Sequence, residues 1–217
     1  MTDRLTELVF ILDKSGSMYG REEDTIGGFN ATVKEQKETG NRVYVTSVLF
    51  SDEHKILIDR LPIEEVREME RNDFRVGGCT ALIDTIGDTI EHIGKVQHYT
   101  KSDPVDKTIF VIITDGLENA SRKYSAGEVR KMIEGKKEKG WEFLFLGANI
   151  EAVETARRYG IDEDRAVNYH NDEEGIRTVY KAVSGFVTAS MKAGDEKIPD
   201  SWRTEADKDF NTRKKGH

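Results

Sequence analysis

The sequence predicts an α/β protein built around a mostly parallel central sheet. Three observations point there. Apolar runs of strand length alternate along the chain with segments whose apolar residues recur every three to four positions. The strand-like runs are almost continuously apolar, as strands covered on both faces must be. One pair of runs, Arg42–Phe50 and Lys55–Asp59, is separated only by the short polar stretch Ser51-Asp52-Glu53-His54, and so predicts a single antiparallel hairpin.

In chain order, Glu7–Leu12 (ELVFIL) reads as a buried strand ending at Asp13. Ile26, Phe29 and Val33 mark a helix that Gly40 closes. After the hairpin, Ile63–Glu70 reads as a short helix. The helical period returns after Thr80 with Leu82, Ile83, Ile86, Ile90 and Ile93 on one face. Lys107–Thr114 (KTIFVIIT) is the most hydrophobic run and again stops at an aspartate, Asp115. Ser125 and Glu128 form a capping-box pattern that opens a helix with Val129, Met132 and Ile133. Glu142–Leu146 is a strand ended by Gly147, followed by a helix over Ala152–Tyr159 and a weak strand over Ala166–Tyr169. A long helix from Asp172 to Lys192 carries Ile176, Val179, Tyr180, Val183 and Val187 on one face. These elements make one domain over residues 1–193. From Gly194 to His217 the sequence is polar, of mixed charge and without periodicity, which predicts a loosely attached tail docked only through Trp202 and Phe210.

Composition narrows the function. The chain has 217 residues, 41 acidic against 33 basic, for a net charge of −8. That balance argues against non-specific nucleic-acid binding. No apolar run approaches the ~20 residues that cross a bilayer. Met1-Thr2-Asp3-Arg4 leads straight towards the first strand without a signal-peptide core, and a single cysteine excludes an intramolecular disulfide. The expected location is the cytoplasm.

Chemistry concentrates at Asp13-Lys14-Ser15-Gly16-Ser17, directly after the first strand. In open α/β sheets ligands bind beyond the carboxyl ends of the strands, and two strands deliver Asp13 and Asp115 to that edge. Hydroxyls and carboxylates without nearby Cys or His form a hard oxygen set, suited to Mg²⁺ or Mn²⁺ over zinc. Gly16 is expected to let the loop turn tightly. Thr80, in Gly77-Gly78-Cys79-Thr80, contributes from a glycine loop that opens a helix. Asp and Ser are also favoured in turns and caps, and Thr80 could serve as an N-cap. Cys79 reads as a packed small residue, with nothing nearby to lower its pKa.

These motifs, in this order, resemble a von Willebrand factor A domain with a complete metal-ion-dependent adhesion site, of the intracellular, prokaryotic, single-domain type. The resemblance runs from the first strand to about Lys192. It implies a Rossmann-like three-layer α/β/α fold with one antiparallel edge strand. It also implies a site made of Asp13, Ser15, Ser17, Thr80 and Asp115. Ser15 and Ser17 would ligate Mg²⁺ or Mn²⁺ directly, Thr80 directly or through water, and both aspartates largely through waters. An Asp or Glu from a partner protein would then complete the coordination. Glu118 and Asn119 fall at the expected rim, where partner contact and plain solvation are both open. Cytosolic members of the family often work beside a separately encoded ATPase or kinase. The alternative is a Mg²⁺-dependent phosphatase of haloacid dehalogenase type with Asp13 as nucleophile, but Ser15 stands where that chemistry wants a second aspartate as general acid.

Overall fold

The computed structural model describes residues 4–100, 104–148, 151–193, 196 and 198–214. Met1–Asp3 and the tail positions 194, 195, 197 and 215–217 lie outside the described residues. Among the described residues the strands and α-helices follow in the order β1 (Leu5–Asp13), α1 (Glu22–Glu38), β2 (Arg42–Phe50), β3 (His54–Pro62), α2 (Leu82–Tyr99), β4 (Lys107–Thr114), α3 (Ala126–Lys137), β5 (Trp141–Ala148), α4 (Ala152–Arg158), β6 (Ala166–Tyr169), α5 (Glu173–Ala193) and α6 (Thr204–Lys214). The strands form one sheet in the order β3-β2-β1-β4-β5-β6. β3 runs antiparallel to β2, and every other neighbour is parallel.

Strand periodicity divides the core into two layers. Along β1, Leu8, Phe10 and Leu12 face α1, α5 and α6, whereas Val9 and Ile11 face α2, α3 and α4. All nine residues of β1 are buried, so its apolar run reflects cover on both sides. The order of strands puts the topological switch point between β1 and β4, which pair in register from Thr6–Lys107 to Leu12–Ile113. Asp13 and Asp115 therefore emerge side by side at the carboxyl edge.

Three segments depart from expectation. Of the helix predicted at Ile63–Glu70, only a single 3₁₀ turn forms, over Ile63–Glu65. Ile63, Val66 and Met69 have the right spacing and are buried. Side chains of α1, however, take the backbone groups a helix would need: Asn30 bonds both the N–H and C=O of Met69, and Lys37 Nζ donates to Val66 O at 2.7 Å. β5 continues through Gly147 to Ala148. The tail is not loosely attached, since α6 packs on α5 and β6. Trp202 meets Phe186 edge-on at 5.3 Å, and the Phe210 ring stacks on His170 at 4.8 Å. Ile198 and Ala206 are buried as well. Much of the remaining attachment is ionic, through Arg213–Asp172 and Lys181–Glu205, which hydrophobic periodicity does not register.

α1 crosses α5 at Gly28, where an added Cβ would stand 2.2 Å from a Tyr180 ring carbon. Its neighbour Gly27 has open space. Gly28→Ala should therefore destabilise by about 1–3 kcal/mol through overpacking, while Gly27→Ala should be neutral or gain up to about 1 kcal/mol of helix propensity. Urea unfolding midpoints of the two variants check the contrast.

Candidate functional site

The carboxyl edge gathers four loops. Asp13 is 1% exposed, and both its oxygens are engaged. Oδ1 accepts the Ser15 backbone N–H at 2.7 Å, and Oδ2 accepts the Thr114 hydroxyl at 2.6 Å. The first bond folds Asp13-Lys14-Ser15 into an Asx turn, which brings Ser15 Oγ within 3.0 Å of Ser17 Oγ. The Ser17 hydroxyl in turn donates to Asp115 Oδ1. Asp115 Oδ2 accepts from Asn171 Nδ2 at 2.7 Å. Thr80 arrives from a third loop, whose Gly77 N–H donates to Lys14 O while its Gly78 C=O accepts from Gly16 N–H.

A common focus lies beside Gly116. A Cβ built there would stand 3.0 Å from Thr80 Oγ1, 3.3 Å from Ser17 Oγ and 3.8 Å from Asp13 Oδ2. Three oxygens from three segments thus surround a point that only a residue without a side chain leaves free. Ser15, Ser17, Thr80, Asp13 and Asp115 lie close to one another at this edge. Among the described residues no group of three or more His, Cys, Asp or Glu converges. The cradle's character is therefore hydroxyl with two carboxylates.

Both carboxylates are electrostatically strained. Burial raises the Asp13 pKa above the ordinary range. Burial also pushes Asp115 up to about 6, with the Asp13 charge adding to the rise and the Ser17 hydrogen bond opposing it. Behind them, the buried Tyr169 hydroxyl and Asn171 Oδ1 have no hydrogen-bond partner among the described residues. Burial first, and then the Asp115 charge, holds the Tyr169 phenol neutral.

No protein-family model matches the sequence, and no curated protein matches it either. Solved structures do match in three dimensions. A von Willebrand factor type A structure from Catenulispora acidiphila aligns with 86% of this chain at a TM-score of 0.57 and 12% identity, over 43% of its own length. The fold is von Willebrand factor A-like. Proximal thread matrix protein 1 from the mussel byssus matches 83% of the chain, and 45% of itself, with a TM-score of 0.57 and 15% identity. The pilus adhesin SpaC from Lactobacillus rhamnosus GG matches 85% of the chain, and 30% of itself, with a TM-score of 0.66 and 11% identity. The chain spans less than half the length of each of these structures.

Several supports of this site went unread in the sequence. The conformational demand falls on Gly77 and Gly78, both at positive φ, rather than on Gly16. A Cβ at Gly78 would lie 1.9 Å from Asp52 Oδ2, and Asp52 Oδ1 holds the Cys79 N–H at 3.1 Å. Cys79 is exposed instead of packed, and hydrogen bonding to Asp52 raises its thiol pKa. Thr80 is not an N-cap, because Ala81 holds that position immediately before α2. Thr114, Tyr169 and Asn171 were missed. Only Thr114, next to Asp115 at a strand end, carried any sequence signal.

Glu118 and Asn119 turn inward and hold the Thr80 loop. Asn119 Oδ1 accepts the Thr80 N–H at 2.9 Å. The Glu118 carboxylate accepts backbone N–H groups from Ile83, Ala120 and Ser121, and the Ser121 hydroxyl. It thereby caps the first turn of α2 from a distant loop. Glu118→Ala should cost about 1–2 kcal/mol, the range of a lost helix cap. Chemical denaturation in EDTA checks this apart from any ligand.

Proposed function

We propose that the chain is a divalent-cation-dependent protein-binding module. In this reading Ser15, Ser17 and Thr80 hold Mg²⁺ or Mn²⁺, Asp13 and Asp115 anchor it, and an Asp or Glu of a partner protein completes its coordination. The observation that carries the reading is the convergence of Thr80 Oγ1, Ser17 Oγ and Asp13 Oδ2 beside Gly116. Oxygen donors without His or thiolate suit a hard cation. Two carboxylates on their own site are strained by burial and mutual repulsion, and a cation relieves both. Hydroxyl ligands leave its charge incompletely neutralised, so an external carboxylate finds an attractive sixth position.

The surroundings support a macromolecular partner. Tyr19 is 83% exposed and Leu117 is 66% exposed, and each lies two residues beyond a site residue, Ser17 and Asp115 respectively. Exposed aromatic and aliphatic side chains beside a charged focus are the usual anchors of protein interfaces. The likeness in fold to a pilus adhesin is in keeping with such a role. Among the described residues no helix is long and apolar enough to cross a membrane. The phosphatase alternative is weaker, because both oxygens of Asp13 are already bonded and its carboxylate is buried. Ser15 also cannot act as the general acid. A cytoplasmic setting with a companion ATPase or kinase is part of the proposal, resting on the motif resemblance alone.

Mg²⁺ or Mn²⁺ should raise the melting temperature by mass action on the folded state, and Asp115→Asn should reduce that rise. Gly116→Ala should abolish it, since the new methyl group occupies the oxygen cradle. Differential scanning fluorimetry and calorimetry read these outcomes. Tight Zn²⁺ binding without any response to Mg²⁺ would overturn the assignment of the ion.

Ser15→Ala, Thr80→Ala and EDTA should each weaken partner capture by roughly 30-fold or more, the ~2 kcal/mol of an interface hot spot, while leaving the fold intact. Pull-downs from the native cell, followed by quantitative binding to the captured protein, measure this. Phosphate release from a generic phosphomonoester that Asp13→Asn abolishes would instead favour the phosphatase.

A further inference from the structure

The bond from Asn171 to Asp115 joins the cation cradle to a part of the chain that no motif marks. Asn171 stands two residues past the end of β6, 56 residues beyond Asp115, and its Nδ2 lies 2.7 Å from Asp115 Oδ2. Chemistry fixes the amide's orientation, since its oxygen would repel the carboxylate while its N–H₂ donates. With Ser17 on Oδ1 and Asn171 on Oδ2, both oxygens of Asp115 are held and the carboxylate plane cannot turn. The remaining Asn171 Oδ1 and the hydroxyl of Tyr169, two residues earlier, are buried without partners among the described residues.

The turn that bears Asn171 is gripped from behind by α6. On one side of Asn171, His170 stacks on Phe210 and its Nε2 lies 3.1 Å from Phe210 O. On the other side, Asp172 pairs with Arg213, which Asp209 also holds. Asp172 in addition caps α5 through the Gly175 N–H at 2.8 Å. Residues 170 and 172 are thus clamped by the C-terminal helix, and residue 171 between them has its side chain on the site.

We infer that Asn171 is a positioning residue of the cation site, and that the docking of α6 sets its grip on Asp115. The inference rests on the cation-binding reading given above and adds a regulator to the same site. Asn171 orients the anchor without adding charge, so it keeps the cation short of negative ligands and receptive to a partner's carboxylate. Loosening α6 weakens the cation's hold by freeing Asn171, at a distance from the ligands themselves.

Calorimetric titration of the full chain with Mg²⁺ or Mn²⁺ tests this, beside melting in EDTA. Asn171→Leu keeps the volume and removes the donor. It should lower cation affinity about 10-fold or more, as loss of a residue that orients a metal ligand does, beyond whatever the lost donor to buried Asp115 takes from the EDTA melting temperature. Should that variant fail to fold, Asn171→Ser carries the same expectation. Arg213→Met should lower affinity by a smaller factor. Because α6 acts through Asn171, the double variant should bind no more weakly than Asn171→Leu alone. Wild-type affinity in the folded Asn171 variant, or additive losses in the double variant, would overturn the inference and leave the cation reading standing. Wild-type protein that binds neither ion overturns both. A lowered EDTA melting temperature with unchanged affinity marks Asn171 as merely structural.

Discussion

Two like charges at one sheet edge are the constraint around which the rest of the site is arranged. β1 and β4 are neighbours and parallel, so the aspartates that end them cannot avoid each other. Both are nearly buried, and Asp115 is pushed up to about 6 by burial and by the Asp13 charge. The groups around them answer that strain. Thr114 and the Ser15 N–H satisfy Asp13, while Ser17 and Asn171 satisfy Asp115. A buried carboxylate without such donors would be protonated or would distort the strand ends. Each of the bonded groups is neutral, so the pair remains an anionic focus.

Support for the focus is relayed outward through backbone more than through ligating side chains. Glu118 and Asn119 hold the loop of Thr80, Asp52 occupies the space that Gly78 vacates, and the Gly77–Lys14 and Gly16–Gly78 bonds tie two loops together. None of these groups needs to touch a cation to matter. They set where the three hydroxyls stand, and a displacement of an ångström there changes what the cradle can hold.

The sequence made the frame legible because the frame is periodic. Alternation along β1 and the apolar stripe of α5 translate directly into the two core layers, and the site residues stand in local motifs, four at or just beyond strand ends and Thr80 in the loop that opens α2. What stayed hidden depends on partners far apart in sequence. The period of Ile63, Val66 and Met69 suggests a helix, yet Asn30 and Lys37 of α1 claim the backbone. α6 lacks a continuous apolar stripe and is held by ionic pairs and the Phe210 ring, with Trp202 docking just before it, so hydrophobic periodicity does not reveal its packing. Asn171 carried no signal, since an asparagine in a turn is ordinary until the fold sets an aspartate beside it.

The distances along the chain that the site bridges have a consequence for how the molecule forms. The Thr114–Asp13 bond closes a loop of 101 residues, Ser17–Asp115 one of 98, and Asn171–Asp115 one of 56. Contacts this remote form only after most chain entropy is already lost, and parallel pairing of this kind makes folding slow. The oxygen cradle is therefore a late product of folding, absent from any partly folded chain that has not yet joined β4 to β1. The cation binding proposed above would accordingly belong to the finished molecule, and its appearance during refolding would time the completion of the sheet.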